Sequence, residues 1–246
     1  GRRMIRIFNF SLPVSNDPLA IRSSIDEGVL ATLLTKRCVH SILGKGREPT
    51  YQLLRNDMSS YVSHSLQIYS MFHLSHAISL SQILALPCTN GVDGRMETSI
   101  WVRAANITEI LLYLYPRMFA LDSTVENSPY QTYSAISNSF VGPLPLSHES
   151  FGYGNFFMFH TNDKIYFWIS KSVQPSFLAA VFGVQTFEEI PNEMPNIQTE
   201  ANQNLQKVLS ECWSLSGKYL PNEIIKQEDP RELVISRFLI DSVPNN

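Results

Sequence analysis

The nearest approach to a metal-binding group in this sequence is His73-x-x-His76, with His64 nine residues before it. That spacing can set two imidazoles on one helical face. Structural zinc takes four ligands, and no cysteine or carboxylate lies close enough to complete the set. These histidines are read as ordinary surface or half-buried side chains. The three cysteines, Cys38, Cys88 and Cys212, are far apart and contain no C-x-x-C. An odd, scattered set is expected to be reduced thiols of a cytoplasmic protein, packed as small side chains. Gly44-Lys45-Gly46 lacks the spacing and the hydroxyl of a phosphate loop. Gly152-Tyr153-Gly154 lacks the third glycine of a dinucleotide loop, and no helix is expected after it. No serine stands in a G-x-S-x-G elbow. Glu188-Glu189 and Glu228-Asp229 are adjacent acids, expected to be solvated at element ends rather than paired as acid and base. Asn106-Ile107-Thr108 fits a glycosylation acceptor, but it fits a helix cap better, because Glu109 follows at capping-box spacing. No catalytic, cofactor-binding or metal-binding residue is therefore assigned.

The bulk numbers agree with a folded, non-basic protein. The 246 residues are 44% hydrophobic and 17% charged, with a formal net charge of −3. There is no global positive field to gather nucleic acid. No apolar run approaches the roughly 20 residues that cross a bilayer, and no signal peptide is visible. The opening Gly1-Arg2-Arg3 lacks a methionine and enters a strand-like run at once, so the chain is read as a piece of something longer.

The element that must organise the C-terminal half is Asn155 to Ser170. Two aromatic, β-branched runs flank the polar trio Thr161-Asn162-Asp163, which reads as a hairpin. Both runs are almost wholly apolar, so they are expected to be central strands covered on both faces. On this reading Tyr166, Phe167 and Trp168 are core rather than a binding platform.

The remaining chain is expected to supply the cover. Met4 to Phe10 alternates as a strand. A helix opens after Ser23-Ser24, with Ile25, Val29, Leu30, Leu33, Leu34 and Cys38 at helical spacing, and ends at Gly44-Lys45-Gly46. A second helix runs from about Thr50 to Phe72 and a shorter one from Ala77 to Leu86. Cys88 to Gly94 reads as a loop, because it holds Asn90-Gly91 and Asp93-Gly94. Helix resumes from Glu97 to Ala105, and another follows Asn106 and stops before Pro116. Asp122 to Pro145 is rich in Ser, Asn and Pro, and a domain boundary is placed near residue 127. After the hairpin come a helix from Pro175 to Phe182 closed by Gly183, and a loop from Glu188 to Asn196. A helix from Thr199 to Ser216 then buries Leu205, Val208, Leu209 and Cys212. A strand at Ile224-Ile225 and a last helix after Pro230 complete the set, with Phe238-Leu239-Ile240 as a final edge strand. The fold class expected is α+β: an all-helical domain followed by a mixed sheet covered by helices.

The order of seven segments resembles the C-terminal third of the COPII inner-coat cargo adaptor, the Sec twenty-four family. Arg2-Arg3-Met4-Ile5-Arg6-Ile7 with Leu12-Pro13-Val14 looks like its last β-sandwich strand, and Arg22-Ser23 through Leu34 like the start of its helical domain. Leu112-Tyr113-Leu114-Tyr115-Pro116-Arg117-Met118-Phe119 is similar to its Y-P-R-L-Y segment. Tyr166-Phe167-Trp168-Ile169, Phe182-Gly183-Val184, and Tyr219-Leu220-Pro221 with Lys226-Gln227-Glu228-Asp229-Pro230 look like its gelsolin-like domain. Phe238-Leu239-Ile240-Asp241 is similar to the family's ending. The sequence departs from the family at Ser170, which is usually glycine, and at Gly28, where the family prefers alanine.

The resemblance implies three parts: residues 1–18 as the terminal strand of a truncated β-sandwich, 19–127 as a helical domain, and 128–246 as a gelsolin-like domain. It implies a non-catalytic adaptor that binds sorting signals on the cytosolic tails of cargo, SNARE-type proteins included, for transport from the endoplasmic reticulum to the Golgi. The implied partners are the GTPase-activating coat subunit, a Sar-type small GTPase indirectly, and the cytosolic face of the endoplasmic reticulum membrane peripherally, but no nucleic acid. No cofactor is implied within these residues; a zinc finger is expected in a preceding N-terminal part. No cargo-binding residue can be matched. The competing readings are the GTPase-activating sister subunit and a gelsolin-type actin or calcium module. Calcium would need clustered carboxylates, whereas the hairpin region offers Asp163 with Glu149 at a distance.

Overall fold

A computed structural model describes residues 27–45, 91–122 and 143–239, with residues 11, 14–17, 20 and 24 before them. The strand expected at Met4 to Phe10, the helices expected at 50–72 and 77–86, His64, His73, His76, Cys88 and most of the 122–145 loop lie outside the described residues.

Among the described residues, three helices precede the sheet, the first of them packed against the other two. They are α1 (Glu27–Lys45), α2 (Gly91–Ala104) and α3 (Ile107–Leu114). In α1 the side chains turned inward include Leu34 and Val39, while Leu33 is 60% exposed, although its spacing placed it on the apolar stripe. Lys36 reaches from α1 to the end of α2, where its Nζ donates to the carbonyls of Arg103 at 3.2 Å and Ala105 at 2.9 Å. A cation at a helix C-terminus satisfies carbonyls that have no partner within the helix. Helix α2 starts at Gly91, so the expected 88–94 loop is corrected: Gly91 and Gly94 sit in its first turn. Glycine costs about 1 kcal/mol in a helix relative to alanine, a penalty that packing against α1 can override. Helix α3 is capped as expected. Asn106 Oδ1 accepts from the Glu109 N–H, and the Glu109 carboxylate accepts from the Asn106 N–H.

The chain then enters a four-stranded sheet in the order β1-β2-β3-β4. The strands are β1 (Arg117–Ala120), β2 (Phe156–His160), β3 (Ile165–Ile169) and β4 (Asn222–Lys226). The first two pairings are antiparallel and the last is parallel. The hairpin is therefore central, with every β2 residue buried. Strand β1 lies on the N-terminal side of residue 127, so the sheet takes its first strand from chain that the sequence reading grouped with the helices.

Both faces are covered. Phe156, Met158, Ile165, Phe167, Ile169 and Ile224 meet α4 (Pro175–Phe182) and α5 (Glu200–Ser216) through Leu178, Val181, Leu205, Val208, Leu209 and Cys212. Phe157, Phe159, Trp168 and Ile225 face the other way. They are covered by Leu144, Leu146, Ile235 and Leu239, with Phe151 and Phe238 packed alongside. Helix α4 begins with Pro175 and closes on left-handed Gly183, φ 73°. Helix α5 is capped by Thr199 and closed by Gly217, φ 65°. The last helix, α6 (Glu232–Ser236), is a single turn. Phe238 and Leu239 come after it as a turn and coil, not as the expected edge strand. Phe238 instead stacks on Phe159 and Tyr166, at 6.0 and 5.6 Å between ring centroids.

The outer margins of the sheet are engaged by loops. The Leu144 N–H donates to the Met118 carbonyl beside β1. Along β4, the Ile224 N–H donates to the Asn192 carbonyl at 2.6 Å, and the Met194 N–H to Asn222 Oδ1 at 2.6 Å.

Candidate functional site

Among the described residues, those singled out for chemistry do not converge. Cys212 is buried on the inner face of α5, and burial pushes its thiol up to about 12, so it stays protonated and unreactive. Gly152 and Tyr153 close a short 3-10 helix rather than line a phosphate site. Gly154 has a different purpose: a Cβ there would fall 2.6 Å from Asp122 Oδ1. That carboxylate accepts from the N–H of Asn155 at 2.8 Å and of Phe156 at 2.8 Å, at the start of β2. The Gly154 backbone is extended at φ −178°, so the demand is for space and not for conformation. Gly154→Ala is expected to lower stability by about 1–3 kcal/mol, read by chemical denaturation. The loss should shrink in an Asp122→Ala background, because the two residues touch.

Glu189 folds back locally, its carboxylate accepting from the N–H groups of Gln185 and Thr186, which lowers its pKa. His160 and Ser216 form a pair that the sequence could not announce, being 56 residues apart. Nε2 and Oγ are 3.0 Å apart, and both residues are buried. A nucleophile needs access as well as a base, so this pair ties β2 to the end of α5 and does no chemistry. Among the described residues, no group of three or more His, Cys, Asp or Glu could hold a metal ion. No described helix is long and apolar enough to cross a membrane.

One surface feature is built with more bonds than a turn needs. The segment Gln227–Arg231 links β4 to α6, and Glu228 there has φ 68°, the one non-glycine residue with positive φ among those described. A left-handed side-chain-bearing residue costs about 1–2 kcal/mol and persists where its surroundings fix it. Here the neighbours fix it from several sides. Gln227 Oε1 accepts from Ser170 Oγ at 3.0 Å and from the Lys171 N–H at 2.9 Å. The Glu228 N–H donates to Glu232 Oε2 at 3.0 Å, and Trp168 Nε1 donates to Glu232 Oε1 at 2.7 Å. Lys171 pairs with the Glu228 carboxylate. Arg231 holds Asp229 and reaches Glu223 Oε1 at 3.0 Å, while Lys164 Nζ bonds Glu223 Oε2 at 2.7 Å. The hydrogen bonds from Arg231 pull the Asp229 carboxyl down to about 2. The same cations hold Glu223 below the ordinary carboxylate range, Lys164 first.

Ser170, the departure from the family's glycine, thus serves as a donor to the turn. The arrangement presents fixed charges and no reactive group. A second exposed feature lies past the end of α5, where Tyr219, 68% exposed, stacks on Trp213 at 4.8 Å. The Trp213 Nε1 donates to the Leu220 carbonyl at 2.9 Å and fixes that indole.

Comparison with known proteins places this geometry. The gelsolin-repeat family model matches residues 139–207, which takes in β2, β3, α4 and the first half of α5. The crystal structure of the human COPII-coat protein Sec24c superposes with a TM-score of 0.71 at 18% identity, covering 87% of this chain and 29% of that one. The protein transport protein SEC24 of Chaetomium globosum is 20% identical over 227 residues, which is 85% of this chain. Along most of its length the chain is similar to Sec24 proteins. Sec24A of Mus musculus is 21% identical over 218 residues, and Sec24C of Homo sapiens 21% over 153. The chain spans 24% of the length of the Chaetomium Sec24 and 13% of human Sec24C. The α+β class expected from the residues, and the gelsolin-like domain that the resemblance implies, agree with the Sec24c fold and the gelsolin-repeat match.

Proposed function

We propose that this chain is the helical and gelsolin-like part of a COPII-coat subunit that selects cargo for transport from the endoplasmic reticulum to the Golgi, without catalysis of its own. The observation that carries the reading is similarity to Sec24 along 85% of the chain. The partners accord with that role: cytosolic cargo tails bearing short sorting signals, the GTPase-activating coat subunit and, through it, a Sar-type GTPase at the cytosolic membrane face. Short peptides of this kind dock on exposed grooves and edges rather than in deep cavities. The domain division proposed is 1–18 as a sandwich strand, 19–127 as helical and 128–246 as gelsolin-like. Strand β1 at Arg117–Ala120 joins the sheet from across that boundary.

The test uses cargo-tail peptides immobilised at matched density, with this chain and a full-length Sec24-type protein carrying it compared for retention. Sequence-specific retention by the full-length protein, lost when the signal is scrambled, is the expected result. Addition of a Sar-type GTPase distinguishes the sister subunit: stimulated GTP hydrolysis by this chain would overturn the cargo-adaptor assignment. The gelsolin-repeat match favours one other reading, a calcium module. It requires calcium to raise the melting temperature by several degrees.

A further inference from the structure

Glu109 uses its two carboxylate oxygens for different ends of the molecule. Oε2 accepts from the Asn106 N–H at 3.0 Å and completes the cap of α3. Oε1 accepts from Lys218 Nζ at 3.2 Å. Lys218 comes directly after left-handed Gly217, which ends α5, the helix packed on the sheet. The pair therefore spans from α1–α3 to the sheet's own cover. Helix α3 passes into β1 through Tyr115 and Pro116 alone. Tyr115 has φ −143° and ψ 86° and packs against the second core of the sheet. A residue before proline is confined to extended backbone, so the connection is short and defined. Glu109 stands six residues before Tyr115, a lever of about 9 Å along the helix. Between them, burial, with a smaller contribution from the Asp163 charge, pushes the Tyr113 phenol up.

We propose that the Lys218–Glu109 pair is a salt-sensitive latch that sets the tilt of α1–α3 on the sheet, about a pivot at Tyr115–Pro116. This goes beyond the cargo-adaptor reading and does not depend on it. The side chains are 39% and 21% exposed, so the pair is partly wet and belongs to the weak class of surface ion pairs. That is weak enough to open without unfolding either part. The cap survives release, because it uses the other oxygen. An anionic group that takes Lys218 would open the seam while α3 stays intact.

The test is a distance distribution between spin labels at Glu97→Cys on α2 and Gln203→Cys on α5, with Cys38 and Cys88 replaced by serine. Cys212 is buried and does not label. In the otherwise unaltered chain the distribution is expected to be narrow at about 0.1 M salt and about twofold broader at about 1 M, where the screening length falls from about 10 Å to about 3 Å. Lys218→Ala and Glu109→Gln should each broaden it at low salt and abolish the salt dependence. Glutamine also serves in a capping box, so Glu109→Gln should leave helix content unchanged. Lys218→Arg should keep the narrow distribution. Overlaid distributions for all these chains at low salt, or a width that salt does not move, would overturn the latch.

Discussion

Trp168→Ala is expected to lower stability by about 3–5 kcal/mol, the usual loss when a large aromatic leaves a core. For a chain of this size that is a fall in melting temperature on the order of 10 °C. Trp168 is 8% exposed and packs edge-on against Phe151 at 4.7 Å, with Phe157 at 5.9 Å. Its indole N–H also holds Glu232, whose other oxygen supports the left-handed Glu228. Trp168→Phe keeps most of the ring contact and removes that bond. Its cost should be nearer 1–2 kcal/mol, and it should loosen the turn selectively. Hydrogen exchange at the Glu228 amide reads that loosening, and thermal melting reads the rest. An alanine variant that melts with the parent would return Trp168 to the status of a surface platform.

The second large effect is acid destabilisation through His160. Burial, with a smaller contribution from the Arg117 charge, pushes its pKa down to about 4 from an ordinary 6.5. Above pH 6.5 the imidazole is neutral in both folded and unfolded chains and stability does not depend on it. Between pH 6.5 and 4 the unfolded chain binds a proton that the folded chain refuses. Stability therefore falls as the pH is lowered through that window, by about 3 kcal/mol in all. Below about pH 4 both states are protonated and the loss levels off. Denaturation at a series of pH values should show the slope, and His160→Gln should flatten it by removing the titrating group. An identical slope in the variant would mean that the carboxylates carry the acid sensitivity.

The hairpin was legible because nothing interrupts its apolar runs except Thr161-Asn162-Asp163, and unbroken runs of that length have to be covered on both faces. The cap at Asn106 and the closing residue Gly183 were legible for a local reason: each acts within four residues of itself. Strand β1 was not. Leu111 to Leu121 is a nearly continuous apolar stretch in which Pro116 marks the end of a helix without specifying the element after it. Four residues pairing with β2 become a strand only when β2 is present. Phe238 and Leu239 have strand-like composition, but both edges of the sheet are already used, so they serve as packing instead. Gly91 and Gly94 look like turn residues to any local rule, yet both lie in the first turn of α2. The braced turn was read as a short family segment, Lys226 to Pro230. The residues that brace it, Ser170 and Lys171, stand some 56 residues earlier, a distance no local pattern spans.

The engagement of the sheet's two margins reaches beyond the single molecule. A strand with free N–H and carbonyl groups recruits the same strand of a neighbour, and sheets grow into aggregates along such edges. Here Leu144 binds beside β1, and the Asn192–Met194 loop occupies β4. A largely apolar hairpin, which exposed would be an aggregation hazard, is thus locked inside a sheet whose edges are engaged. A contact that another molecule makes with this sheet is thereby left to side chains rather than to backbone.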